Sequence, residues 1–345
     1  MFIGKKKPDT MPAVALPWLR RNWFLLGILA ALLLGFFLPG LASVLNRGGF
    51  ARALLIVLLF LISGFTLPTE AITSGLRDYR LHLYVQVFVF LFIPGFFLLT
   101  TLPFRLLWDH PLFAGIFAVA VLPTTISSCI VFTQISGGNL MGTMFNAALA
   151  NILGVFLSPL LLSLLMRGSG EPLPAAEVLS ILRNLSLLML IPIAGGQILR
   201  QFFKQAAAKQ KKRLSVLSNI FILFILYFAF SKTAANPDFS GNLIALIGPF
   251  AYLAAAHLLL LYIAYGGARL LRFSRENTIS VLYTAPQKTL ALGVPLISTY
   301  FASTPEVLGV ALLPLVFYHA WQLLVAGFVK SSRLVRSAGE ERGGN

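Results

Sequence analysis

Apolar stretches long enough to cross a bilayer recur from Trp23 almost to Val329, and no other feature constrains the fold of this chain so strongly. Each crossing of a hydrocarbon core about 30 Å thick takes roughly 20 residues. Runs such as Val87 to Leu99 and Ile220 to Phe230 are apolar on every face, which excludes the two-residue alternation of a transmembrane barrel. Only 11% of the 345 residues are charged and 58% are hydrophobic, whereas a soluble domain is about a quarter charged. The expectation is an all-α polytopic membrane protein.

Hydropathy places ten transmembrane helices at 23-44, 53-67, 81-103, 111-134, 140-166, 177-199, 214-231, 242-268, 278-300 and 306-329, with nine as the competing count because the second span is short and the Pro123 and Pro286 regions can be read as loops. With both termini inside, twenty of the 27 basic residues fall on the cytoplasmic side, six on the other, and the last, Lys288, inside a span. That asymmetry obeys the positive-inside rule and predicts a multi-pass protein of the cell inner (plasma) membrane. The net charge of +16 thus reports topology and lipid contact rather than nucleic acid. The longest basic stretch, Arg200 to Arg213, reads as a cytoplasmic loop that fixes orientation.

The polar segment 168-176 divides the chain in the middle. The parts are a basic cytoplasmic N-terminal segment (1-22), a first five-helix repeat (23-167), a linker (168-176), a second five-helix repeat (177-330) and a cytoplasmic tail (331-345). An odd number of spans per half forces two inverted repeats, the arrangement of many secondary transporters.

Two proline-marked polar breaks support that division: Pro123-Thr-Thr-Ile-Ser-Ser-Cys129 and Thr284-Ala-Pro-Gln-Lys-Thr289. Pro123 and Pro286 are 163 residues apart (286 minus 123), near the 154-residue offset between Trp23 and Glu177 (177 minus 23). Each break therefore falls in the fourth helix of its half. Proline removes an N–H and frees carbonyls that can bind cations, while Thr124, Thr125, Ser127 and Ser128 add hydroxyls. A half-helix beginning near Ser127 turns its positive end toward the same space, which suits an anionic group beside a small cation.

Lys288 is costly at this depth, by at least about 2.5 to 3.5 kcal/mol if unpaired, so a functional or counter-ion role is expected of it. Thr289 belongs to the same break. Thr143 and Asn146 on the fifth span, and Tyr318, His319 and Gln322 on the tenth, are candidates for the cavity wall. Asn151 reads as an interhelical hydrogen bond. No carboxylate is expected deep in a span, no metal-ligand spacing joins His82, His110, His257 and His319, and the single cysteine, Cys129, permits no internal disulfide. No catalytic constellation is present, so enzymatic activity is not expected.

The segments Phe60-Leu-Ile-Ser-Gly-Phe-Thr-Leu-Pro-Thr-Glu70, Ile135-Ser-Gly-Gly-Asn139 with Phe145-Asn146, Gln287-Lys-Thr-Leu-Ala-Leu-Gly-Val-Pro295 and Pro314-Leu-Val-Phe-Tyr-His319 resemble the bile acid:sodium symporter superfamily. The similarity is to its divergent branch around the seventh vertebrate solute-carrier member and bacterial homologues. It covers roughly Asn22 to Val329. The resemblance implies a panel domain from helices 1, 2, 6 and 7, a core domain from the rest, and broken, crossing helices 4 and 9. By position it implies sodium ligation at Ser128, Thr143 and Gln287. The chain departs from the pattern at Cys129, which replaces an asparagine, at Tyr283, which replaces the glutamate bridging two sodium ions, and at Lys288, which replaces an asparagine. The Lys288 ammonium is expected to fill one cation position.

Together these observations predict a secondary active transporter of a small organic anion, with no cofactor other than a candidate sodium ion. The competing reading is a non-transporting membrane regulator or scaffold on the same fold.

Overall fold

The computed structural model describes residues 15–67, 78–104, 107–168, 175–235 and 243–331. Glu70, most of the 168-176 linker, the first fourteen residues and the tail beyond Ser331 lie outside them. Among the described residues no strand is present. The principal helices are α1 (Ala15–Phe37), α2 (Pro39–Leu45), α3 (Phe50–Thr66), α4 (Tyr79–Val87), α5 (Ile93–Thr101), α6 (His110–Val121) and α7 (Ser127–Ile135) in the first half. They continue with α8 (Leu140–Gly168), α9 (Ala175–Phe202), α10 (Lys204–Ala234), α11 (Ile247–Leu270), α12 (Arg275–Thr284), α13 (Leu290–Tyr300) and α14 (Leu308–Ser331).

Six helical segments are long and apolar enough to cross a membrane: Arg47–Thr66, Tyr79–Phe104, Leu140–Met166, Lys204–Ala234, Ile244–Leu270 and Leu308–Lys330. The pair Trp23–Phe37 and Pro39–Leu45 makes a seventh if counted as one span. Large apolar side chains such as Phe37, Leu91, Phe202, Leu270 and Phe328 are exposed on their outer faces, as contact with lipid tails requires. The protein is a multi-pass helical membrane protein.

Two sequence expectations are corrected. The first span, expected to run unbroken over 23-44, bends by 98° where Pro39 interrupts the ladder. The stretch from Arg200 to Arg213, expected as a loop, is helical except near Phe203, because Lys204-Gln-Ala-Ala-Ala-Lys-Gln-Lys-Lys-Arg213 consists of good helix formers. As expected, the spans at 111-134 and 278-300 are each divided, into α6 with α7 and α12 with α13. The span at 81-103 stays continuous but widens into a π segment at Phe88–Phe92, just before Pro94.

Helix α3 packs on α9 and α10, and α1 packs on α10. Glycines permit the closest of these approaches. A Cβ at Gly196 would collide with the Leu61 carbonyl, and one at Gly64 with the Ile193 carbonyl. Helix α14 lies against α6, α10, α11 and α13, while α8 contacts α6, α7 and α12. The two divided spans are thereby enclosed between α8 and α14.

Candidate functional site: the meeting of two broken helices

The two breaks touch through their backbones. Thr289 N donates to Pro123 O at 3.0 Å, joining the start of α13 to the gap between α6 and α7. Thr289 also caps α13, its hydroxyl oxygen accepting from Ala291 N at 3.2 Å.

Every carbonyl released by a proline at membrane depth needs a donor, since no lipid can supply one. In this protein side chains and one backbone amide fill that need. The Lys288 ammonium donates to Leu122 O at 2.7 Å and Ala120 O at 3.2 Å, at the carboxyl end of α6 where the helix dipole is negative. Ser158 Oγ donates to Val121 O at 2.7 Å, and Asn151 Nδ2 to Thr124 O at 3.0 Å. Across the second break, Tyr318 donates to Pro286 O at 2.8 Å and Gln322 Nε2 to Lys288 O at 2.7 Å. Gln322 Oε1 accepts from Lys288 N at 2.7 Å.

Hydrogen counting fixes one imidazole. The single Tyr318 hydroxyl hydrogen goes to Pro286 O, so the 2.9 Å contact with His257 Nδ1 requires that nitrogen to donate. One Gln322 Nε2 hydrogen goes to Lys288 O; His319 Nδ1 lies 3.0 Å from Gln322 Nε2, which can only donate, and 3.5 Å from Lys288 O, which can only accept.

The Thr125 and Ser128 hydroxyls both donate to Gln287 Oε1, at 2.8 and 3.0 Å, and also contact each other. These three oxygens converge at the crossing. Thr143 is engaged elsewhere, its hydroxyl lying 3.1 Å from Thr133 Oγ1 and 2.7 Å from Ser280 Oγ. In the same region Tyr283 pairs with Ser136 at 2.9 Å and stacks on Phe132. Asn146 is fully buried against Gln86, which donates to its carbonyl at 3.3 Å and to Oδ1 at 3.2 Å. Thus Pro123, Thr125, Ser128, Pro286, Gln287, Lys288, Thr289 and His319 gather at the crossing, and Thr143 and Asn146 do not join them. Asn151, expected only as an interhelical hydrogen bond, instead bonds Thr124 O in the gap between α6 and α7 and Ala147 O of its own helix, and so belongs to the break.

A cavity of about 290 Å3 opens beside the crossing, with Ser127, Ser128, Thr289 and His319 on one wall and α10 on the other. Helix α10 contributes Lys211, Ser215, Ser218 and Asn219, none of which stood out in the sequence as site residues. Their spacing of four, three and one is a helix face, but that signal disappears when Lys211 is grouped with a loop. A second, apolar cavity of about 400 Å3 adjoins it and shares Ser63, Asn151 and Ala291. No group of three or more metal-ligating side chains occurs among the described residues.

The pattern of the SBF-like CPA transporter family matches residues 22–333. Mouse sodium/bile acid cotransporter 7 is 30% identical over 315 residues, covering 89% of this chain and 90% of the mouse protein. Sodium/bile acid cotransporter 7-B of Xenopus laevis is 28% identical over 318 residues, with 89% and 90% covered. Sodium/bile acid cotransporter 7 of Danio rerio is 26% identical over 332 residues, with 94% and 96% covered. The family pattern runs through every helix that builds the crossing, and the chain belongs to the SBF-like CPA transporter family, a membrane transporter and not an enzyme.

Proposed function

We propose that the protein is a secondary active transporter that moves a small organic anion by alternating access. The observation that carries this reading is the Thr289 N to Pro123 O bond, with a polar cavity beside it. Two half-helices, α7 and α13, begin at that cavity, the arrangement by which secondary transporters hold substrates near the bilayer midplane.

In this reading the chain has ten spans in two inverted five-helix repeats, 23-167 and 177-330, with both termini cytoplasmic in the inner membrane. Helices α1, α3, α9 and α10 act as a panel, in keeping with their packing on one another. The remaining helices form a core that moves against it. Lys288 supplies a tethered positive charge on the Ala120 and Leu122 carbonyls, where a dissociable cation would otherwise sit. Sodium, as a co-transported cargo, would find only the neutral oxygens of Thr125, Ser128 and Gln287. Without a carboxylate those bind it weakly, so transport does not strictly require sodium.

Uptake by the purified protein in proteoliposomes tests the proposal, using a library of organic anions with sodium or choline as the external cation. Saturable uptake that persists in choline is expected. Absence of uptake across the library under either cation refutes a transporter of this class.

A further inference from the structure

Between Lys211 and Asn219, helix α10 turns one polar face toward the cavity. Lys211, Ser215, Ser218 and Asn219 line the cavity, whereas Val216 and Leu217 on the opposite face are exposed. A membrane helix holds polar groups inward at a cavity where they meet water, a partner or a ligand. The cavity is also electrically one-sided. Lys211 is the only charged group among its described lining residues, which include no Asp or Glu. Hydroxyls of Ser127, Ser215 and Ser218 surround the same space, and the amino ends of α7 and α13 add to its positive potential. The apolar cavity, walled by Phe60, Val155, Leu190 and Ile193, adjoins the polar one at Ser63, Asn151 and Ala291.

We propose that Lys211 is the counter-ion for the oxyanion head of the substrate, with the serine hydroxyls as additional donors and the apolar cavity receiving the body of the molecule. The occupant is an organic carboxylate, sulfonate or phosphate with a compact apolar portion. Calling it cargo rests on the transport reading above; the anion site itself is a binding claim. Lys211 selects for charge from the α10 side, and Lys288, bonded to carbonyls, does not take part.

The test uses the full-length protein in detergent and 2-naphthalenesulfonate, 2-naphthoate and 2-naphthyl phosphate as probes, with uncharged 2-naphthamide as the isostere. A hydrogen-bonded charge is worth about 1.5 to 3 kcal/mol, so Lys211→Met should weaken binding of the anions by at least about tenfold. Naphthamide binding should not change, Lys211→Arg should retain anion binding, and Lys212→Met, at an exposed neighbour, should match wild type. Anion affinity unchanged in Lys211→Met, an equal loss for naphthamide, or no saturable binding of any probe by wild type overturns the proposal. Uptake measured on the same variants separates the two readings. Wild-type protein that binds anions through Lys211 but transports none refutes transport and leaves the site standing. Transport whose KM is unchanged in Lys211→Met does the reverse.

Discussion

The side-chain amide of Gln322 makes both hydrogen bonds of a peptide group with Lys288, accepting from its N and donating to its O, each at 2.7 Å. Gln322 is completely buried, so no water can replace either bond. Replacing Gln322 with Leu would leave two buried backbone groups without partners, at about 1 to 3 kcal/mol each. Gln322→Leu is therefore expected to lower stability by about 2 kcal/mol or more and to abolish uptake. Gln322→Glu retains the acceptor but loses the donor, and should fall between. Thermal unfolding in detergent measures the order; equal stability of all three proteins would contradict it.

Lys288 presents a different balance. Its two carbonyl bonds contribute about 1.5 to 3 kcal/mol each, while holding a charge at this depth costs about 2.5 to 3.5 kcal/mol. The two bonds together, about 3 to 6 kcal/mol, outweigh that cost by up to about 3.5 kcal/mol, so Lys288→Ala, which strands the Ala120 and Leu122 carbonyls, should be less stable than wild type by up to about that much. Its ion dependence should change, because the carbonyls of Ala120 and Leu122 become available to a dissociable cation. Lys288→Asn, a neutral amide at the same place, is expected to make uptake sodium-dependent. Uptake by Lys288→Ala with unchanged ion dependence would show that the ammonium does not stand in for a cation.

Gly154 fixes how closely α8 approaches the first break. A Cβ there would lie 2.7 Å from Pro123 Cγ and 3.0 Å from Cδ, so Gly154→Ala must displace Pro123 and strain its bond to Thr289 N. Overpacking of this kind costs about 1 to 3 kcal/mol. Gly266 and Gly327 face open space, and alanine at either should stabilise its helix by up to about 1 kcal/mol. The contrast is measurable as opposite shifts in unfolding temperature, with uptake lost only in Gly154→Ala.

The breaks were legible in the sequence because proline and lysine are conspicuous against apolar helices, and their offset of 163 residues fits two halves of similar length. The neighbours of each break could not be read from the sequence. Thr125, Ser128 and Gln287 converge across 159 to 162 residues of chain, a relation created by tertiary packing and not by spacing. Thr143 shares their chemistry, yet it is satisfied by Thr133 and Ser280, and no local signal separates the two groups. Carbonyls expected to be free for cations are instead capped by Lys288, Ser158, Asn151, Tyr318 and Gln322. Of these, Ser158 carried no signal at all, since a serine within an apolar helix usually bonds to its own backbone. Lys211 was hidden by its basic neighbours, because charge alone does not show which face of a helix a residue occupies.

His257 reaches the second break only through Tyr318, and that dependence can be measured. The Tyr318 hydroxyl gives its hydrogen to Pro286 O and receives one from His257 Nδ1, so the three groups form a directed chain from α11 to the break. Tyr318→Phe removes the middle member and leaves both the Pro286 carbonyl and the His257 N–H without partners, in surroundings where both side chains are buried. His257→Phe removes only the outer donor and leaves the bond to Pro286 intact. Tyr318→Phe should therefore destabilise more than His257→Phe, and the double variant should be more stable than the sum of the single losses implies, because the stranded imidazole N–H is gone. Groups in one hydrogen-bonded network couple by about 0.5 to 3 kcal/mol. A double-mutant cycle on unfolding free energy measures that coupling, and strictly additive losses would show that His257 packs beside Tyr318 without donating to it.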